Sequence, residues 1–355
     1  MEEKKNNIFK RLWNYVIRTS GLMALGLFAT LIIGVIIHQI GNAFSFAPIS
    51  EIGTALQAFM GVGIGVAIAC GEKDKLSPLN IVALGAVGGL ASAINFNFEA
   101  ATIFTFSITG GSKNPLTVYL VVIGALELSK LILRRKTPVD IILVPLLIVI
   151  LGSALSFALV IPLQYVIIWL SSFINDATTY QPILMGIVIA VVMGMALTAP
   201  ISSVAIAVAI NLSGIAAGAA CVGCCVQMIG FMMMSIKDNN IGKIISVGIG
   251  TSMLQFQNIL RKPIIWLPTI IISAILGPIS TAVMGLSSSA VGAGMGTCAL
   301  IGPIQMVITT SEAGNPLMGW LGATLLCIIV PAISVFAIDL LFRKLGWIKE
   351  GDLKI

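Results

Sequence analysis

Apolar residues in this chain gather in long uninterrupted runs rather than in short alternating or one-faced patterns. Residues 21–40, 141–170 and 264–286 each reach the about 20 residues that an α-helix needs to cross a bilayer. Read end to end, the pattern predicts spans over 19–41, 52–70, 79–97, 115–133, 141–163, 182–199, 203–235, 243–260, 263–286 and 316–342. The fold class is therefore all-α polytopic membrane protein, with about 8–10 transmembrane helices. One membrane domain, 19–345, is expected between an amphipathic N-terminal segment, 1–18, and a short tail, 346–355. Composition agrees: 58% of the 355 residues are hydrophobic and 10% charged, against about 25% charged in a soluble domain. Too few charges remain to cover a water-facing surface, so most of the exterior faces lipid.

Charge then sets topology. The N-terminus is polar and basic, with no short apolar run and cleavage site of a signal peptide. Within it Ile8, Phe9, Leu12, Trp13 and Val16 share a face, while Lys4, Lys5, Lys10 and Arg11 reach toward headgroups. This is either a helix lying on the membrane surface or a plain basic flank. Lys73/Lys75, Arg134/Arg135/Lys136 and Arg343/Lys344 fit alternation from a cytoplasmic start, with both termini inside the cell. The net charge of +6 is a topology signal and not a nucleic-acid footprint.

The second half strains this scheme. Lys237/Lys243 and Arg261/Lys262 cannot both be cytoplasmic if 243–260 crosses fully, so one segment is re-entrant or 203–235 is broken. Ala199-Pro200-Ile201-Ser202-Ser203 and Asn211-Leu212-Ser213-Gly214 weaken a helix where such breaks are needed. Residues 287–304, rich in Ser and Gly and uncharged, read as a re-entrant hairpin, with 102–114 as a matching excursion. A faint two-fold repeat pairs Asn80 to Gly85 and Asn95-Phe96-Asn97 with Lys243 to Gly248 and Gln255-Phe256-Gln257, and Lys113-Asn114-Pro115 with Arg261-Lys262-Pro263. A substrate site at a repeat interface would follow from it.

Ionisable groups in a bilayer are costly and are functional candidates by default. Glu127 and Lys130 share a helical face and pair with each other; Asp339 pairs with Arg343, and Glu51 sits at a span boundary. Glu99 and Glu312 instead join irregular polar stretches. With Asn95, Asn97, Gln255, Gln257, Asn258 and Gln305 they offer the mixed donors and acceptors that sugar hydroxyls require. These eight are the candidate substrate contacts. No catalytic residue, metal or cofactor is expected. The lone His38 reads as a packing or interfacial residue. Cys221, Cys224 and Cys225 lie on one face without a His or fourth ligand, and small-residue packing accounts for them. No P-loop, HExxH or GxSxG motif occurs.

Residues 194–203 (GMALTAPISS), 214–225 (GIAAGAACVGCC), 250–263 (GTSMLQFQNILRKP) and 292–297 (GAGMGT) resemble the membrane-embedded IIC subunits of the bacterial sugar phosphotransferase system, in the perfringolysin-regulator-like branch. The resemblance covers about 15–345. It implies a dimeric permease in the bacterial plasma membrane, with re-entrant hairpins and a carbohydrate substrate phosphorylated by IIB and IIA partners in trans. It also implies a sugar-binding Glu near the second hairpin, for which Glu312 is the nearest counterpart. The chain departs from better-studied IIC subunits in two places. Glu312 precedes Ala313-Gly314-Asn315-Pro316 rather than forming a Glu-Pro pair, and His38 is not where their sugar-proximal histidine lies. An ion-coupled transporter of another small polar solute and a non-transporting membrane regulator are the alternatives.

Overall fold

The computed structural model describes all residues except 1, 73–75, 98–104, 108–113, 133–137 and 179, and gives the backbone alone for 2–9, 95–97, 105–107 and 175. The chain divides into two compact units, Met1–Val166 and Ile167–Ile355. Among the described residues six helices are long and apolar enough to cross a membrane, or seven with one bent pair. Two shorter apolar helices of 16 and 17 residues, Pro78–Ala93 and Pro182–Thr198, come close to that length.

In the first unit α1 (Glu2–Leu27) continues through a π-helical turn, Phe28–Ile32, into α2 (Ile33–Ala43). No turn separates residues 2–18 from the span; they are the first turns of one continuous helix. Helix α3 (Ala47–Ala58) bends by 49° at Phe59 into α4 (Met60–Cys70). Then come α5 (Pro78–Ala93), a short hairpin of β1 (Asn95–Asn97) on β2 (Thr105–Ser107), α6 (Pro115–Ile132) and α7 (Asp140–Ala177), within which the unit boundary falls. The hairpin covers part of the expected 102–114 excursion; most of the rest lies outside the described residues.

Glycine sets the spacing here. A Cβ at Gly61 would collide with the backbone of Gly88, and one at Gly26 with that of Gly63, so α4 packs on α5 and α1 at backbone distance. Lipid offers no hydrophobic drive between helices, and such close contact supplies the cohesion instead. His38 ties α2 to α3 through Ser50 Oγ at 2.9 Å, which is a packing role. Glu127 pairs with Lys130 at 2.8 Å as the spacing predicts, and Lys130 also reaches Glu72 at 3.4 Å. Arg18 bonds Glu72 too, and Tyr15 donates to Glu127 at 2.7 Å. The buried Glu72 is thus neutralised from two helices, as an acid at membrane depth must be.

The second unit is built from interrupted helices. Helix α8 (Pro182–Thr198) stops before Ala199-Pro200, and the short α9 (Ser203–Ala209) follows the break. After Asn211 and Gly214, both at positive φ, α10 (Gly214–Met234) runs through the centre of the unit. The predicted span 203–235 is therefore two helices, broken at the polar stretch 211–214. The predicted span 243–260 does not cross either. Helix α11 (Ile241–Ile245) and a π-turn, Ser246–Gly250, go in; the extended Thr251 breaks the chain; a 3-10 turn, Ser252–Gln255, and α12 (Phe256–Arg261) return. Both ends of this excursion meet the C-terminal tail, through Lys243–Ile355 and Lys262–Asp352. Ten helical residues reach about 15 Å, half a bilayer. Lys237/Lys243 and Arg261/Lys262 thus share one end of the unit, which removes the topological conflict.

A 3-10 turn, Pro263–Trp266, leads into α13 (Leu267–Pro278) and a π-turn, Ile279–Val283. The predicted hairpin follows. Helix α14 (Ala290–Met295) descends, Gly296, Ala299 and Leu300 reverse the chain at positive φ, and α15 (Ile301–Glu312) climbs back, so its return arm reaches Glu312 rather than 304. Helix α16 (Pro316–Leu321), a π-turn, Gly322–Ile329, and α17 (Val330–Lys344) form the last span.

Hydroxyl side chains satisfy the backbone groups at these breaks. Ser202 accepts from Ala205 N–H, Ser289 from Gly292 N–H, and Thr251 from Met253 N–H. Ser203 donates to Gly294 O at 2.7 Å and Thr297 to Gly248 O at 2.6 Å, so α9 caps the end of α14 and the α14–α15 tip caps the π-turn Ser246–Gly250. A Cβ at Gly223 would strike Ala190 O in α8, whereas one at Gly242 would meet only Asn240 Oδ1 at 3.8 Å. Gly223→Val is expected to cost about 1–3 kcal/mol or more by overpacking, and Gly242→Ala to add about 0.5–1 kcal/mol. Thermal unfolding of the purified protein in detergent checks both.

Candidate functional site

Helix α10 is buried along nearly its whole length and carries one amide, Gln227. Its Oε1 lies within hydrogen-bond reach of three donors: Trp266 Nε1 at 3.0 Å, Thr269 Oγ1 at 3.0 Å and Thr198 Oγ1 at 3.2 Å. Thr198 also meets Ser252 Oγ at 2.8 Å. The end of α8, the entry of α13 and the start of the return arm after Thr251 therefore converge on one side chain. An indole N–H only donates, so the atom facing Trp266 must be oxygen. That fixes the amide orientation and turns its NH2 away, where Nε2 is buried with no partner among the described residues. An unpaired buried donor costs about 1–3 kcal/mol. The position holds a buried donor to which no described residue offers an acceptor.

The sequence-predicted residues go to different places. Gln255 and Asn258 are fully buried, and their amides are committed to the C-terminal tail. Gln255 Nε2 donates to Ser235 Oγ at 2.7 Å and Leu353 O at 2.9 Å. Asn258 Nδ2 donates to Gln255 Oε1 at 2.7 Å and Lys354 O at 3.1 Å. The tail is accordingly a docked strap rather than a loose end. Leu353 is buried, Asn239 donates to Leu353 O at 2.7 Å, and Asp238 accepts from Gly351 N–H at 2.9 Å while pairing with Arg343 at 3.1 Å. Arg343 also holds Asp339 at 2.8 Å, the pair that the spacing predicts. Gln257, one position along from this network, is half-buried.

Gln305 lies inside the α14–α15 hairpin and accepts from Ser289 Oγ at 2.9 Å. Above it Thr309 donates to Ser287 O at 2.7 Å, and Thr310 accepts from Ser287 N–H at 3.0 Å, which closes the hairpin's outer end. Glu312 is exposed beyond that seam, at the end of α15. Asn95 and Asn97 stand on β1 with only their backbone described, and Glu99 lies outside the described residues. Sequence reasoning passed over Gln227, Trp266 and Thr269. The available signal was a single amide in an otherwise apolar stretch, 214–234.

The family profile described as "Phosphotransferase system, EIIC" matches residues 17–355. No curated relative and no solved structure matches the chain.

The tail network carries its own test. Gln255→Leu takes one hydrogen-bond partner from each of Ser235 Oγ, Leu353 O and the Asn258 amide, at about 1–3 kcal/mol. The variant's last residues should become open to carboxypeptidase while the wild-type tail stays protected. Burial opposes ionisation of Asp352, yet the Lys262 ammonium and the Lys349 N–H hold its carboxyl below the usual carboxylate range. A depressed folded-state pKa stabilises docking at neutral pH and loses it only as pH falls below the ordinary carboxylate value of about 3.9. Protection should therefore persist at pH 5 and be lost in stronger acid, with Asp352→Asn weakening it at every pH above that range.

Proposed function

The chain belongs to the phosphotransferase system EIIC family, and on that premise we propose that it holds its sugar in the second unit, against Gln227 where the interrupted segments converge. It is the membrane permease subunit of a sugar phosphotransferase system, and its family implies a carbohydrate substrate and IIA and IIB partners in trans. The family does not favour the ion-coupled or regulatory alternatives.

One observation carries the placement: the buried, unpartnered Nε2 of Gln227. A sugar hydroxyl accepts from such a donor and gives its own proton onward. The Thr198, Ser252 and Thr269 hydroxyls around Gln227 can exchange donors and acceptors without leaving one stranded. The half-buried Trp266 indole adds an aromatic edge to the same position. Transporters commonly set substrate where broken helices leave backbone and side-chain polarity at membrane depth. Gln305 and the exposed Glu312 are proposed as contacts along the hairpin, with Gln257 toward the tail end. Asn95, Asn97 and Glu99 remain proposals of sequence alone. Gln255 and Asn258, spent on the tail, are not carried forward.

Orientation follows from charge. In residues 167–355 every Lys and Arg lies in 237–262 or 343–354, at the end where the tail docks. That end is assigned to the cytoplasm, and Glu312 to the outer face. The α14–α15 hairpin, tied at its tip to Gly248 O by Thr297 and to α9 by the Ser203 hydroxyl, is the element proposed to move in alternating access. The assembly proposed is a homodimer, as the resemblance to IIC subunits implies.

Thermal stability of the purified protein across mono- and disaccharides, sugar acids and pentitols tests the reading. A ligand at 100 times its Kd adds about 2.7 kcal/mol by mass action. A rise specific to one sugar is expected, lost in Gln227→Met and weakened in Gln305→Ala and Glu312→Gln, each compared with its own ligand-free midpoint. A sugar response that survives Gln227→Met in full moves the site elsewhere in the chain.

A further inference from the structure

The three cysteines that share a face of α10 part company in the fold. The Cys224 thiol turns to the carbonyls of Met193, at 3.5 Å, and Ala293, at 3.2 Å. Cys221 and Cys225, four residues apart, instead meet Cys327 from the last span. Their three sulfurs lie within 4.8 Å of one another, and all three residues are buried. A fourth sulfur stands beside them: Met306 Sδ, on α15, is 3.7 Å from Cys327 Sγ. The ligand that the sequence lacks at this position thus comes from two other elements. Cys327 is delivered by the π-turn Gly322–Ile329, a wide turn of the kind that often marks functional positions. The hydroxyl of buried Ser288 adjoins Cys221.

We infer that Cys221, Cys225 and Cys327, together with Met306, form a binding site for a soft monovalent d10 cation of the Cu(I) class. The donor set is sulfur throughout, and thiolate with thioether selects Cu(I) over harder ions. Ligands about 2.3 Å from a metal stand roughly 4 Å apart, so the three thiols need to close by less than about 1 Å. Charge balance points the same way. The cation displaces one thiol proton to the buffer, Cys–SH plus M⁺ giving Cys–S–M plus H⁺, and the apolar interior keeps the same net charge. A divalent ion needs two thiolates for neutrality and makes little use of the thioether. Ser288 is placed to donate to the thiolate that forms. The bound ion joins α10, the hairpin arm α15 and the last span, so it braces the hairpin. This inference does not depend on where the sugar binds.

The test uses the full chain in detergent, fully reduced, on a Cys70→Ala background because Cys70 is an exposed free thiol. Cu(I) is titrated in competition with a chromogenic Cu(I) chelator, and redox-inert Ag(I) is followed separately by thermal unfolding. One equivalent of Cu(I) should be withdrawn from the chelator, with X-ray absorption showing only sulfur neighbours at about 2.3 Å. Ag(I) should raise the unfolding temperature. Cys327→Ala and Cys221→Ala should abolish both effects, Met306→Leu should weaken Cu(I) affinity by roughly 10-fold or more, and Cys298→Ala should change neither. Each variant's metal-free unfolding temperature shows that it is folded, and Met306→Leu, conservative in volume, keeps the test valid where a cysteine variant does not fold. Failure of the wild type to compete, full retention of metal by Cys327→Ala or Met306→Leu, or nitrogen and oxygen neighbours in place of sulfur each overturns the assignment.

Discussion

Inside a bilayer no water is present to accept or donate, so every backbone N–H and C=O must find a partner in the protein. The second unit is organised around meeting that demand at the points where its helices stop. Breaks after Thr198, at Asn211, at Thr251 and at Gly296 would each strand several polar groups. Each break is bordered by a serine or threonine, and hydroxyls do the capping after Thr198, at Thr251 and around Gly296. Ser203 on Gly294 and Thr297 on Gly248 do so between elements, which ties the α14–α15 tip to α9 on one side and to the π-turn Ser246–Gly250 on the other. The same interruptions bring Thr198 and Trp266 to Gln227, and Ser252 to Thr198.

Close packing makes such an arrangement possible. The backbones of α8 and α10 touch at Gly223 and Ala190, and the hairpin tip rests on α10 at Gly296 and Cys224. Small side chains let interrupted segments sit inside the protein, where lipid cannot reach their exposed ends. Charged groups follow the same logic. Glu72 is buried only because Arg18 and Lys130 reach it, and Asp238 and Asp339 only because Arg343 lies between them. The tail completes the second of these groups, so a stretch that reads as a short polar end is part of the fold.

Part of this was legible in the residues. Length and hydrophobicity of the runs required a helical membrane protein, since nothing else satisfies the backbone over 20 apolar residues. The i, i+3 and i, i+4 pairs Glu127–Lys130 and Asp339–Arg343 follow from helical geometry and are present. Pro200, the polar stretch 211–214 and the Ser/Gly-rich run after 287 marked the breaks because their local chemistry disfavours helix. The clash between Lys237/Lys243 and Arg261/Lys262 showed that one predicted span could not cross, though not which one.

Residue chemistry alone dictated the solvent: lipid outside, helices within it, breaks at Gly, Pro and Ser, and basic residues gathered for one face. These are local or additive properties, fixed by each residue's own transfer energy and backbone preference. Partnership was left to the packing of distant segments. Gln255 and Asn258 looked like substrate amides and serve the tail, while Gln227, a single amide in an apolar run, became the point of convergence. Cys221 and Cys225 acquired Cys327 and Met306 from segments about 100 and 80 residues away. Hydrogen bonds and sulfur contacts reach only a few ångströms, so which atoms meet depends on how distant segments pack, and no spacing along the chain encodes that.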